Sequence, residues 1–158
     1  MSRQEIENVT IEEVIKPPMA DEEFSGNKRV LRRWEAALLA VLCIGFTVFH
    51  LYVLNVYSLE PLLFRAIHVG WGGALGFILY APVRRAAKTG VPWYDWVLVL
   101  ASIACAVYIA IELDGLLFRA GAQFTTGDVV AGLAGTLLVL EFTRRTSGLA
   151  LPVIAGLF

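Results

Sequence analysis

Arg65 and His68 stand three residues apart inside an apolar stretch, residues 62–83, so on a helix they share one face a turn apart. A guanidinium beside an imidazole suits an anionic group or a partner's carboxylate. The same pair is equally explained by Arg65 reaching out to the headgroups while His68 bonds across to a neighbouring helix. The other histidine, His50, lies about six residues from the end of the preceding apolar stretch, as His68 does from the start of its own. Six residues at ~1.5 Å of rise put both imidazoles ~9 Å below the same boundary. Two histidines at one depth on adjacent helices are a possible ligand pair for a b-type haem, so a redox protein is one alternative. Four-helix membrane cytochromes use more histidines than two, and neither a cofactor nor a metal is expected here.

The remaining ionisable residues argue against chemistry inside the membrane. Glu35 and Glu141 fall at the end of the spans that carries Arg32, Arg33, Arg144 and Arg145, where cross-helix ion pairs are the expected arrangement. A proton or sodium relay needs acids further in, and the four apolar stretches offer none. There is no H-E-x-x-H, G-x-S-x-G, Walker loop or C-x-x-C, so the chain does not read as an enzyme. Cys43 and Cys105 both lie in apolar runs and read as buried structural thiols rather than a disulfide.

The glycines read as packing surfaces. Gly72 and Gly76 form a G-x-x-x-G spacing, and Ala131/Gly135 and Gly132/Thr136 repeat it in a later stretch. Small residues at this spacing let helix backbones approach closely in lipid. Gly72, Gly76, Gly132 and Gly135 are therefore expected at helix–helix contacts, with Arg65 and His68 fixing the outer end of their helix.

These residues need helices that cross a bilayer, and the composition supplies them. Hydrophobic residues make up 58% of the 158, against ~45–50% in soluble domains. The mean hydropathy is +0.68. The excess is gathered in long apolar runs at residues 36–56, 62–83, 93–111 and 129–142, each followed by polar or basic residues. The expected fold is all-α and integral to the membrane: four transmembrane helices plus the start of a truncated fifth. Trp34, Trp93 and Trp96 mark the interfaces. Thr125 and Asp128 have the spacing of a capping box. Residues 1–33 are expected to form a disordered acidic tail ending in a basic juxtamembrane cluster, and residues 34–146 the four-helix domain. Residues 147–158 rise only ~18 Å as a helix, which suggests that the chain is the first part of a longer polypeptide.

Eleven of the thirteen Lys and Arg residues lie in the tail, in residues 84–88 or at Arg144 and Arg145; only Arg65 and Arg119 fall in the alternate loops. The positive-inside rule then places the N-terminus in the cytoplasm. The net charge of −1 leaves no basic footprint for nucleic acid.

Several blocks occur in order: Arg65-Ala66-Ile67-His68, Phe77 to Pro82, Pro92-Trp93-Tyr94-Asp95-Trp96, Thr125 to Asp128, Leu140 to Arg145 and Gly148 to Ile154. Over residues 62–158 this pattern resembles the N-terminal, Q-like region of fused permeases of tripartite ATP-independent periplasmic (TRAP) transporters, in the subgroup served by TAXI-type binding proteins. The resemblance implies a sodium-coupled secondary importer of organic substrates, often carboxylates, in the bacterial inner membrane. Its implied partners are an M-type permease region in the same chain, a periplasmic substrate-binding protein and the lipid bilayer. The Q-like region would be the scaffold, with substrate and ion sites elsewhere. The same residues also fit a stand-alone small TRAP subunit, or a membrane interaction protein without a transport role.

Overall fold

The computed structural model describes residues 27–83, 89–119 and 122–157. The acidic tail up to residue 26 and the basic loop at residues 84–88 lie outside the described residues. Within them the chain is helical: α1 (Arg33–Asn55), α2 (Pro61–Leu79), α3 (Trp93–Ile111), the short α4 (Leu113–Arg119), α5 (Thr126–Ser147) and α6 (Ala150–Leu157). α1, α2, α3 and α5 are each long and apolar enough to cross a membrane. They alternate in direction, so the bundle has a basic end, with Arg29, Arg32, Arg144 and Arg145, and an opposite end.

Local chemistry sets the helix starts. Glu35 in the first turn of α1 accepts the Arg32 N–H at 2.8 Å. Glu60 caps α2 by accepting the Leu63 N–H at 2.9 Å, with Pro61 in the first turn, where its missing N–H costs nothing. Thr125 and Asp128 form the reciprocal capping box of α5, each side chain accepting the other's backbone N–H, at 3.2 and 2.8 Å. Hydroxyls within the spans fold back on their own helices: Thr47 donates to the Cys43 carbonyl, Ser102 to Leu98 and Thr136 to Gly132. No polar hydrogen is then left facing hydrocarbon at those positions.

α2 and α3 pack most closely, and the core lies toward their basic ends: Ala74, Phe77 and Ile78 against Val99, with Leu39, Leu42, Leu138 and Phe142 around them. A Cβ on Gly70 would come within 2.7 Å of Ala106 Cβ and 2.9 Å of the Ser102 carbonyl oxygen. A Cβ on Gly76 would fall inside the van der Waals envelope of the Phe142 ring, which lies across it from α5. Only glycine permits either approach. Within the chain, close contact therefore falls at Gly70 and Gly76. Gly72, Gly132 and Gly135 have nothing within 4 Å and line a cleft of about 910 Å³ between α2, α3 and α5.

Two elements differ from the expectation for physical reasons. α2 stops at Leu79, short of residue 83, because Tyr80 and Ala81 turn extended ahead of Pro82 and pair with the segment before α1. α5 runs from Thr126 to Ser147, past residue 142, because its last arginines find partners while still helical. Cys43 corrects the expectation of two buried thiols. It is exposed, because α1 is covered by the rest of the bundle on one side only, while Cys105 is half-buried; both are free. α6 is exposed along most of its length and follows Gly148, whose φ of +78° ends α5.

Candidate functional site

The segment before α1 is a strap. The Arg29 N–H donates to the Leu79 carbonyl at 3.0 Å, Ala81 N–H to Asn27 at 2.9 Å, and Gly90 N–H to Val30 at 3.0 Å. Lys28 and Val30 thereby form single bridges with Tyr80 and Thr89. The strap turns one member of the basic cluster inward. Arg29 is buried, and its guanidinium donates to the Phe77 carbonyl at 3.2 Å and pairs with Asp95, which is fully buried.

Asp95 is the centre of an ion cluster. One carboxylate oxygen takes Arg29; the other stands 2.8 Å from Arg145 Nη1 as an ion pair off the angle of a hydrogen bond. Arg145 also donates through Nε to Glu141 at 2.7 Å and through Nη1 to the Tyr80 carbonyl at 3.2 Å, and its guanidinium lies 5.0 Å over the Phe77 ring. Arg144 grips Glu141 with Nε and Nη2 at 2.7 and 2.8 Å and reaches the Pro82 carbonyl at 2.9 Å. Asn27 closes the set by donating to the Arg145 carbonyl at 2.9 Å.

Helix ends explain the placement of these charges. The carbonyls of Phe77, Leu79, Tyr80 and Pro82 are those left without partners where α2 ends, and each accepts from Arg29, Arg145 or Arg144. Cations suit that negative end of the α2 dipole, and Asp95, in the first turn of α3, suits the positive end of its own helix. Three guanidiniums meet two carboxylates, and the surplus positive charge faces carbonyl oxygens. Glu35, also buried, makes no ion pair with Arg32 or Arg33 among the described residues. It serves two backbone N–H groups instead, those of Arg32 and Val91. Glu141 pairs within its own helix, so at this end the ion pairs that join separate elements belong to Asp95. The one available signal was an acid set among Trp93, Tyr94 and Trp96, where no apolar side is left for it.

The opposite end carries the histidines. His50 Nδ1 lies 2.7 Å from the Phe46 carbonyl, and His50 Nε2 lies 2.8 Å from His68 Nδ1, joining α1 to α2. Phe46, Phe49, Phe64 and Trp71 surround the two rings, with Phe46 4.2 Å from His50 and 5.4 Å from His68 between centroids. This spacing does not fit a haem. Ligands on opposite faces of an iron stand apart by about two metal–nitrogen bonds, roughly 4 Å, with the macrocycle between them. Arg65 is exposed, has no ion-pair partner among the described residues, and lines the mouth of the cleft with His68.

Beside it, Arg119 spans Glu112 and Asp128, each at 3.3 Å, and Tyr108 donates to Asp128 at 2.8 Å. The hydrogen bond to Glu112 raises the Arg119 guanidinium above its ordinary value. Trp34 and Trp96 stack on each other at 6.1 Å at the basic end, whereas Trp93 is exposed. Among the described residues no group of three or more His, Cys, Asp or Glu side chains is placed to hold a metal ion. No family model matches the chain, and no curated protein or solved structure matches it.

Proposed function

We infer that the chain is the N-terminal scaffold part of a TRAP-type permease, a sodium-coupled importer of organic substrates handed over by a periplasmic binding protein. It lies in the bacterial inner membrane with the basic end in the cytoplasm. One observation carries the scaffold role: the Arg29–Asp95–Arg145 cluster ties the strap, α2, α3 and α5 together at one end. A moving ion path needs acids free to change partners. The buried acids of the described spans are held by arginines or backbone N–H groups. Such a bundle suits a brace against which another part of a permease moves. The transporter class rests on the sequence blocks given above, and four membrane-length helices agree with it.

The test is uptake by proteoliposomes holding the full permease, with its binding protein and a panel of radiolabelled organic acids. The reading expects uptake that needs both an inward sodium gradient and the binding protein, and that is lost when residues 34–146 are deleted. Uptake that persists without those residues, or that ignores sodium and the binding protein, overturns it.

A further inference from the structure

α2 and α5 run in the same direction along the cleft, from the end that carries Arg65 and Asp128 towards the basic end. Phe142 closes it from α5, where the ring lies across Gly76. Gly76 comes eleven residues after Arg65. That is ~16 Å of helical rise, and half of a ~30 Å hydrocarbon core is ~15 Å. The cleft is therefore about as deep as one leaflet. A transmembrane helix packed along it would need a groove of roughly twice that length.

The walls present hydrocarbon. Gly72, Gly132 and Gly135 meet the cleft with bare backbone. The hydroxyls along it turn back on their own helices, Ser102 to Leu98, Thr136 to Gly132 and Thr143 to Val139. Gly132 and Thr136 are exposed, so the cleft opens sideways as well as at its mouth.

The mouth is charged. The Asp128 carboxylate is already held by Arg119 and Tyr108, and His68 is bonded to His50. Arg65 is exposed and has no ion-pair partner among the described residues. A guanidinium matches a phosphate with two parallel hydrogen bonds. A free cation in the second turn of a membrane helix, above an apolar cleft of one leaflet's depth, complements an amphiphile with one anionic head and a hydrocarbon tail. We propose that the cleft takes an acyl chain of an anionic phospholipid, with the headgroup phosphate on Arg65. The site does not depend on a transport role.

The experiment is native mass spectrometry of the purified protein released from detergent. It is titrated with phosphatidylglycerol and with phosphatidylcholine of the same acyl chains, whose phosphate already has its own cation. The expected result is one tightly held phosphatidylglycerol, preferred by at least about tenfold through its charged contact. Arg65→Gln should bring the two lipids within about twofold of each other. Gly135→Leu on α5 and Gly72→Leu on α2 put a side chain into the cleft, and each should weaken both lipids at least about tenfold; circular dichroism monitors the fold of each variant. Millimolar inorganic phosphate should leave the lipid bound, because it brings no chain. A preference unchanged in Arg65→Gln, undiminished binding in both leucine variants, or displacement by phosphate overturns the proposal. So does a dimer of the parent that Gly135→Leu dissociates, which would give the cleft to a helix of a second copy.

Discussion

Replacing Asp95 by Asn removes the negative charge that two buried arginines share. Arg29 then faces only neutral acceptors, the Phe77 carbonyl and the new amide oxygen, while Arg145 keeps Glu141 and the Tyr80 carbonyl. Breaking a buried pair by removing one partner costs ~3–5 kcal/mol because a buried charge is left uncompensated. Removing a base has a different effect. In Arg29→Met, Asp95 retains Arg145 at 2.8 Å, and the loss is one charged hydrogen-bonding group, ~1.5–3 kcal/mol. The double variant Arg29→Met/Asp95→Asn leaves one cation fewer than Asp95→Asn alone, so the second substitution should restore roughly 1 kcal/mol or more. Reversible unfolding in mixed SDS micelles, followed by circular dichroism, measures all three. The reasoning fails if Asp95→Asn unfolds within about 0.5 kcal/mol of the parent, or if the double variant is less stable than Asp95→Asn.

Other expectations follow from the same geometry. Gly76→Leu should destabilise by ~1–3 kcal/mol or more through collision with Phe142, while Gly72→Leu, which faces the cleft, should leave the isolated chain within ~0.5 kcal/mol; thermal melts in detergent compare the two. Arg65→Gln should be equally silent in stability, since Arg65 is exposed and has no ion pair among the described residues. In a variant lacking both native cysteines, a membrane-impermeant thiol reagent should label Ser58→Cys and Phe124→Cys in whole cells and Thr89→Cys only after lysis. Labelling in the reverse pattern would overturn the assigned orientation.

The spans were legible because burial in lipid needs little more than length and uninterrupted apolarity. α3 has the bounds its apolar run predicts, Trp93–Ile111. The capping box at Thr125 and Asp128 was legible for a similar reason: it is local, three residues wide, and needs no knowledge of the fold. The contacts of Asp95 were not. Its partners lie 66 residues before it and 50 after it, and Arg29 reaches it only because the strap pairs with the end of α2. Nothing in a run of Lys28, Arg29, Arg32 and Arg33 says which member turns inward. The glycine faces were legible as faces, and their neighbours were not. Spacing shows that a face is small, but whether a neighbour fills it depends on how far α5 stands from α2, and the large ring of Phe142 decides where they touch.

The two ends of the bundle are built differently. At the basic end the polar bonds are long-range and bring the strap, α2, α3 and α5 together, so no one of these elements can shift without exposing a buried charge. At the opposite end the caps close within a turn, Glu60 to Leu63 and Thr125 to Asp128, while Tyr108 and Arg119 join α3 and α4 to α5 through Asp128. There the histidine pair and its aromatic surround supply the polar link between α1 and α2. The cleft runs along α5 between these regimes, narrowed where Phe142 meets Gly76 and open where Gly132 and Gly135 face it. At the basic end the buried Asp95 ties the strap, α3 and α5 to one another, and at the other end Asp128 ties α3, α4 and α5 while His50 and His68 join α1 to α2.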